Sequence, residues 1–137
     1  MRWGLVFLLF LPLLLSLGCA SKITRYGYTV QDMPDRDKYL GCSMPIKKNF
    51  SYSKEDVEVL GELLSGDSGV SLNCGKGYVL GLLRQEACAL KADLINIIYE
   101  RNMDLWSSCY RAKAQFLHFK DRELATNLKS DTEYLNY

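Results

Sequence analysis

Apolar residues recur along residues 57–119 in patterns that predict strands and one helix. In a predicted strand from Val57 to Leu64, alternate residues form one apolar face, as a half-buried strand requires. The residues of this face are Val57, Val59, Gly61 and Leu63. Leu80, Leu83, Ala87 and Leu90 follow at spacings of three, four and three residues, which predicts an amphipathic helix from about Tyr78 to Lys91. Gly81 lies inside this helix, and we expect it to mark a close approach to a sheet.

Two further strands are predicted after the helix. Residues Leu94 to Tyr99 are apolar on both faces apart from Asn96, which is typical of a central strand covered on both sides. From Cys109 the apolar residues alternate again through Tyr110 and Phe116, and we expect the helix to pack on the Tyr110 face. The pattern therefore predicts a β-α-β-β order.

The flanking segments are more polar, and they suggest how the chain is organised. Residues 45–52 contain a candidate edge strand that begins after Pro45, so the sheet would have three to four strands. We interpret residues 45–120 as the domain, residues 19–44 as a turn-rich tether, and residues 121–137 as a polar tail.

The first 18 residues have the features of a secretory signal peptide. Arg2 is followed by a short apolar run that ends in small residues. The sequence Leu15-Ser16-Leu17-Gly18-Cys19 resembles the bacterial lipobox, in which the cysteine becomes the first mature residue and carries acyl chains. We therefore expect lipidation of Cys19 and anchoring to a membrane. The sequence that follows, Ala20-Ser21, lacks the aspartate that retains lipoproteins in the inner membrane, which favours the outer membrane.

Charge and cysteine content bear on the cellular compartment and on how the fold is stabilised. The chain has 17 basic and 16 acidic residues, and loss of Arg2 with the signal peptide balances them, so charge gives no reason to expect binding to nucleic acid or to an anionic membrane surface. Apart from Cys19, the cysteines are even in number and widely spaced, which in an exported chain predicts two disulfides with three possible pairings. These cysteines are Cys42, Cys74, Cys88 and Cys109.

Several of these features together resemble a known family. The Leu60-Gly61-Glu62 and Ser65-Gly66-Asp67-Ser68 sequences, the loop cysteine, the helix, and Cys109-Tyr110-Arg111 resemble the RcsF-like outer-membrane lipoproteins and the YbjQ-type domain. The resemblance covers about residues 57–119. It implies an α+β fold with one helix on one face of a small sheet, and a role in sensing envelope stress.

The resemblance also implies a disulfide pairing. In RcsF the cysteine after the Ser-Gly-Asp-Ser turn is bonded to the cysteine of the Cys-Tyr-Arg strand, which corresponds here to Cys74 with Cys109. Cys42 is then left with Cys88. A second RcsF bridge has no counterpart, because Arg101 and Gln115 occupy the matching positions.

Reactive chemistry has little support in the sequence. His118 is the only histidine, and no base for a nucleophilic cysteine is evident beside it. Glu58 and Glu62 share a strand face that we expect to be solvated, and the Gly-flanked segment before the helix lacks full phosphate-loop spacing. We expect no catalytic residue, no cofactor and no metal.

The remaining candidate site is apolar. Leu105 and Trp106 lie in a turn region where polar residues are usual, so two interpretations are open: they fold back onto the core, or they anchor an envelope protein partner. The leading hypothesis is a lipid-anchored, periplasm-facing binding lipoprotein with structural disulfides. The alternative is a small-ligand or metal-binding domain that uses the thiols of Cys74, Cys88 or Cys109 as ligands.

Overall fold

The structure is a computed structural model that describes residues 22–67, 73–105 and 107–130. These ranges contain the strands β1 (Lys22–Tyr26), β2 (Ile46–Lys48), β3 (Val57–Gly66), β4 (Leu94–Arg101) and β5 (Arg111–Phe119). They also contain the helices α1 (Lys76–Ala89) and α2 (Arg122–Ser130), and two 3-10 turns (Val30–Asp32 and Arg36–Tyr39). The predicted signal peptide, Cys19 and Trp106 lie outside the described residues.

The predicted α+β class agrees with the observed elements, but the prediction of three to four strands with one helix in β-α-β-β order is wrong. The sheet has five strands in the order β1-β3-β5-β4-β2, and the second helix, α2, follows it. The added strand β1 lies in the segment that we interpreted as a tether, and α2 in the segment interpreted as a tail. β1 was missed because a short, polar edge strand leaves almost no periodic signal.

Strand pairing makes the sheet mixed. β1, β3, β5 and β4 pair antiparallel in that order, and β2 pairs parallel to β4. The register places Lys22 opposite Gly66 and Arg101 opposite Arg111. The first residue of β1 and the loop between β4 and β5 are therefore at the same end of the sheet, which we call the Lys22 end.

The main core lies between the sheet and α1. The side of α1 that carries Val79, Leu80, Leu83 and Ala87 is buried against the face of β5 that carries Phe116, and Tyr110, just before β5, joins the same core, as the alternation predicted. The helix ends in a Schellman motif, in which the Ala92 N–H donates to the Ala87 carbonyl oxygen (2.9 Å). Lys91 takes the left-handed position, with a φ of 61°, that glycine usually occupies.

A β-bulge changes which side chains of β3 face the core. Val59 pairs with Leu117, whereas Gly61 pairs with Phe116, so the register shifts between them. Val57 consequently joins a second apolar cluster with Leu117. The prediction that Val57, Val59, Gly61 and Leu63 share one face is therefore wrong, because the extra residue reverses the alternation.

Gly61 and Gly81 have opposite environments. A Cβ atom on Gly61 would lie 2.3 Å from Cδ1 of Tyr28, whose ring also packs edge-on against Phe116 (ring centroids 5.6 Å apart). A Cβ atom on Gly81 would meet no atom within 4 Å beyond its own helix backbone and chain neighbours, so the expected close approach to the sheet is wrong. The Tyr28 ring therefore covers the core at Gly61, where the sheet has no side chain.

Alanine substitutions at these two glycines are expected to shift stability in opposite directions. Gly61→Ala displaces the Tyr28 ring and should lower the free energy of unfolding by about 1–3 kcal/mol. Gly81→Ala, its matched control, should raise it by about 0.5–1 kcal/mol through helix propensity. Urea unfolding of the disulfide-bonded protein measures both. Equal effects of the two substitutions would contradict this account of the Tyr28 contact.

Candidate binding surfaces

An apolar tip projects from the Lys22 end of the sheet. We call residues 102–108, between β4 and β5, the tip loop. Leu105 is 100% exposed and Met103 is 59% exposed. Singly exposed apolar side chains are common on protein surfaces, whereas neighbouring ones that form a patch can mark an interaction site. The structure thus places Leu105, one of the two predicted anchor residues, on the surface, while Trp106 lies outside the described residues.

The tip loop is held in shape by Asp104. The backbone N–H of Asp104 donates to the carbonyl oxygen of Ser107 (3.0 Å), and Ser107 N–H donates to Asp104 Oδ1 (2.9 Å). The other carboxylate oxygen of Asp104 lies 2.9 Å from Arg111 Nη2 and 3.1 Å from Arg101 Nη2. One carboxylate therefore closes the turn and ties it to the ends of both strands.

A disulfide fixes the base of the tip loop. Cys109 is bonded to Cys74, and the N–H of Tyr110 donates to the Cys74 carbonyl oxygen (2.8 Å). The hydroxyl of Ser107 accepts a hydrogen bond from Cys109 N–H (3.2 Å) and donates to Asp67. Closing a loop of 35 residues contributes about 4 kcal/mol in the chain-entropy treatment.

The second disulfide joins Cys42 to Cys88 of α1. The expectation of two disulfides is confirmed, and the pairs are those that the resemblance to RcsF implies. With these four cysteines bonded, a thiolate ligand site of the kind considered above would first require a bridge to be reduced. In the three described ranges, no group of three or more histidine, cysteine or acidic side chains is arranged for a metal ion.

An open groove of about 400 Å³ runs along the outer side of α1. Its lining includes Ile23, Arg25, Arg36, Leu40, Tyr78 and Gly81. Leu40 is 74% exposed at one rim. The two arginines both approach one carboxylate, so much of the charge in the groove is neutralised.

That carboxylate belongs to Glu86, whose side chain is 0% exposed. Arg25 makes a two-pronged ion pair with it, Tyr28 Oη donates to it (2.6 Å), and Arg36 Nη1 lies 3.6 Å away. Burial, together with the hydrogen bond to Glu86, raises the pKa of Tyr28 far above its usual range. Such a buried charge is tolerated only because several partners surround it.

The remaining polar candidates have structural contacts. His118 Nδ1 lies 2.8 Å from Asp93 Oδ2, and Arg122 Nη1 of α2 lies 3.2 Å from the other oxygen of Asp93. This cluster connects α2 to the sheet. Glu62 pairs with Lys113 (2.7 Å), and hydrogen bonds from Lys113 and Gln115 hold the pKa of Glu62 below its usual range.

Comparisons of the chain with protein-family models, with curated proteins and with solved structures found no match. Within the part of the chain that the structure describes, no helix is long and apolar enough to cross a membrane. The fold and the surface define a disulfide-bonded α+β domain with an exposed apolar tip.

Sequence reasoning selected Leu105 as a candidate but did not select Met103 beside it or recognise the contacts of Asp104 that hold the loop. Met103 stood in a polar stretch and carried no periodic signal, and the ion pairs of Asp104 join residues from both strands. The Asp-Leu-Trp-Ser sequence did contain one clue, because aspartate at the first position of a turn commonly bonds the backbone beyond it.

Asp104→Ala is expected to loosen the tip loop without unfolding the domain. Loss of two part-exposed ion pairs and one hydrogen bond should speed amide exchange at Ser107 by about tenfold. Hydrogen exchange read by mass spectrometry measures this. The matched control is Asp37→Ala, because Asp37 is exposed and remote from the tip loop. Unchanged exchange at Ser107 in Asp104→Ala would refute the assigned role of this carboxylate.

Proposed function

We propose that this protein is a lipid-anchored, periplasm-facing envelope lipoprotein that binds another envelope component through its tip loop. Acyl chains on Cys19 hold it in the membrane, with the outer membrane favoured by the Ala20-Ser21 sequence. The disulfides have a structural role, and the domain performs no catalysis. Sensing of envelope stress, which the resemblance to RcsF implies, is part of this proposal.

The two disulfides support export from the cytoplasm. Disulfides persist in oxidising compartments such as the periplasm and are rare in the bacterial cytosol. Both bridges join segments far apart in the chain, with sequence separations of 46 and 35 residues. This agrees with the basic start, apolar run and Gly18-Cys19 cut site of the first 19 residues.

The observation that carries the proposal is the full exposure of Leu105 on a turn that is held in place. The Asp104 contacts and the bridge between Cys74 and Cys109 restrict the loop before anything binds. A partner that covers Leu105 therefore pays little conformational entropy for ordering it. A mobile surface loop would lose more conformational entropy on binding, because nothing restrains it beforehand.

Site-specific photo-crosslinking in living cells tests the proposal. A photoreactive amino acid in place of Leu105 should yield adducts with an envelope component after illumination. The matched control carries the same amino acid in place of Leu40, which is also exposed but lies at the α1 groove. Adducts from position 105 that are absent from position 40 are expected. Absence of adducts at position 105, or equal yields at both positions, would contradict the proposal.

A further inference from the structure

A surface segment lies across the outer side of α1 and has a buried residue at each of its ends. Met33 and Met44 belong to the main core and are 3% and 7% exposed, whereas all the residues between them are exposed or partly exposed. We call residues 34–43 the strap. Leu40 and Gly41 of the strap form part of one wall of the groove along α1. The strap therefore has fixed ends and a middle with little core of its own.

The strap is joined to α1 by one covalent bond and by weaker polar contacts. Cys42 is bonded to Cys88. Gln85 Nε2 donates to the carbonyl oxygen of Arg36 (3.1 Å), and Arg36 Nη1 lies 3.6 Å from the carboxylate of Glu86. The side chain of Arg36 is 30% exposed, so water partly screens this ion pair. The disulfide is therefore the contact whose loss would free the strap most.

The buried carboxylate of Glu86 does not depend on the strap. Arg25 and Tyr28, which donate hydrogen bonds to this carboxylate, belong to β1 and to the segment just after it, before the strap begins. Loss of the longer contact with Arg36 would therefore leave no unpaired buried charge, which is the usual reason that such a movement is costly. Movement of the strap costs mainly its contacts along the groove.

The two disulfides differ in burial. Cys74 and Cys109 are 2% and 0% exposed, whereas Cys42 and Cys88 are both partly exposed. Thiol–disulfide exchange requires a thiolate to reach one of the two sulfur atoms, so access controls its rate. A reductant can approach the Cys42–Cys88 bridge in the folded domain, whereas the other bridge is shielded until the structure around it opens.

We infer that the Cys42–Cys88 bridge, in addition to its structural role, is a redox switch that holds the strap against α1. A dithiol reductant attacks one sulfur of the bridge through a thiolate and forms a mixed disulfide, and its second thiol then displaces the sulfur of this protein. The reductant leaves as a disulfide. The two electrons and two protons that it loses convert Cys42 and Cys88 to two thiols. The strap then moves away from α1, and the groove widens.

The switch is expected to be reversible. Met33 and Met44 keep the strap near α1 after reduction, so the two thiols remain neighbours. Their high effective concentration favours the bridge once the dithiol is withdrawn and a disulfide oxidant is supplied.

Stepwise reduction of the folded, disulfide-bonded protein tests the order in which the bridges open. The protein is treated with dithiothreitol without denaturant, its thiols are blocked with iodoacetamide at successive times, and the labelled cysteines are mapped by mass spectrometry. Cys42 and Cys88 are expected to be labelled roughly tenfold faster, or more, than Cys74 and Cys109. Equal rates, or earlier labelling of the buried pair, would overturn the inference.

Hydrogen exchange then shows whether reduction frees the strap alone. The amides of Lys38 and Cys42 donate to the carbonyl oxygens of Asp35 (2.9 Å) and Tyr39 (3.0 Å) within the strap. Their exchange should become about tenfold faster after reduction, while the amides of β5 keep their protection. Oxidised glutathione should restore slow exchange in the strap. Unchanged exchange in the strap, or loss of protection throughout β5, would contradict the switch.

Paired substitutions separate the effect of the bridge from that of the reagent. Cys42→Ser with Cys88→Ser should show the fast strap exchange without dithiothreitol and no further response to it, and slow exchange in this variant would overturn the inference. The matched control, Cys74→Ser with Cys109→Ser, should keep slow strap exchange until dithiothreitol is added. If this control fails to fold, the order of reduction and the first variant still decide.

This inference goes beyond the proposed function, because it uses neither the tip loop nor the anchor on Cys19. An acylated protein whose bridges are reduced at equal rates would overturn the switch and leave the lipoprotein proposal standing. A selectively reducible Cys42–Cys88 bridge in a chain without acyl groups would support the switch and remove the anchor.

Discussion

The buried carboxylate of Glu86 is the interaction on which the arrangement of this domain depends. It lies on α1, but its partners Arg25 and Tyr28 come from the N-terminal segment, so it fastens that segment across the helix. Removing one partner of such a buried pair typically costs about 3–5 kcal/mol. The bridge between Cys42 and Cys88 holds the same segment to the same helix. Together they keep β1 at the sheet edge, and this fixes where the chain enters the domain.

The start of β1 and the tip loop lie at the same end of the sheet. With β1 fixed, Lys22 begins at the end of the sheet from which Leu105 projects. The contacts of Asp104 and the bridge between Cys74 and Cys109 keep the tip loop formed at that end. The tip loop is therefore a restrained turn at the end of the sheet where β1 begins.

The pattern of apolar residues along the sequence predicted those elements whose buried residues follow a regular order. α1 and β5 have periodic apolar residues and β4 is a continuous apolar run, and the positions of these three elements followed from those patterns. The bulge between Val59 and Gly61 was not predictable, because one extra residue reverses the alternation without changing composition. β1 is a five-residue polar edge strand, and it is held by Glu86, about 60 residues away in the chain. Leu105 was selected because a large apolar residue is unusual in a polar turn. The contacts of Asp104 that hold the turn could not be predicted, because they depend on residues that only the fold brings together.

The central claim is that a disulfide-locked domain is anchored through Cys19. It is tested most directly by intact mass and a non-reducing peptide map of the protein purified from membranes. The account predicts a chain that begins at an acylated Cys19, with Cys42 linked to Cys88 and Cys74 linked to Cys109. A chain that keeps residues 1–18 or lacks acyl mass, or free thiols in these peptides, would contradict it.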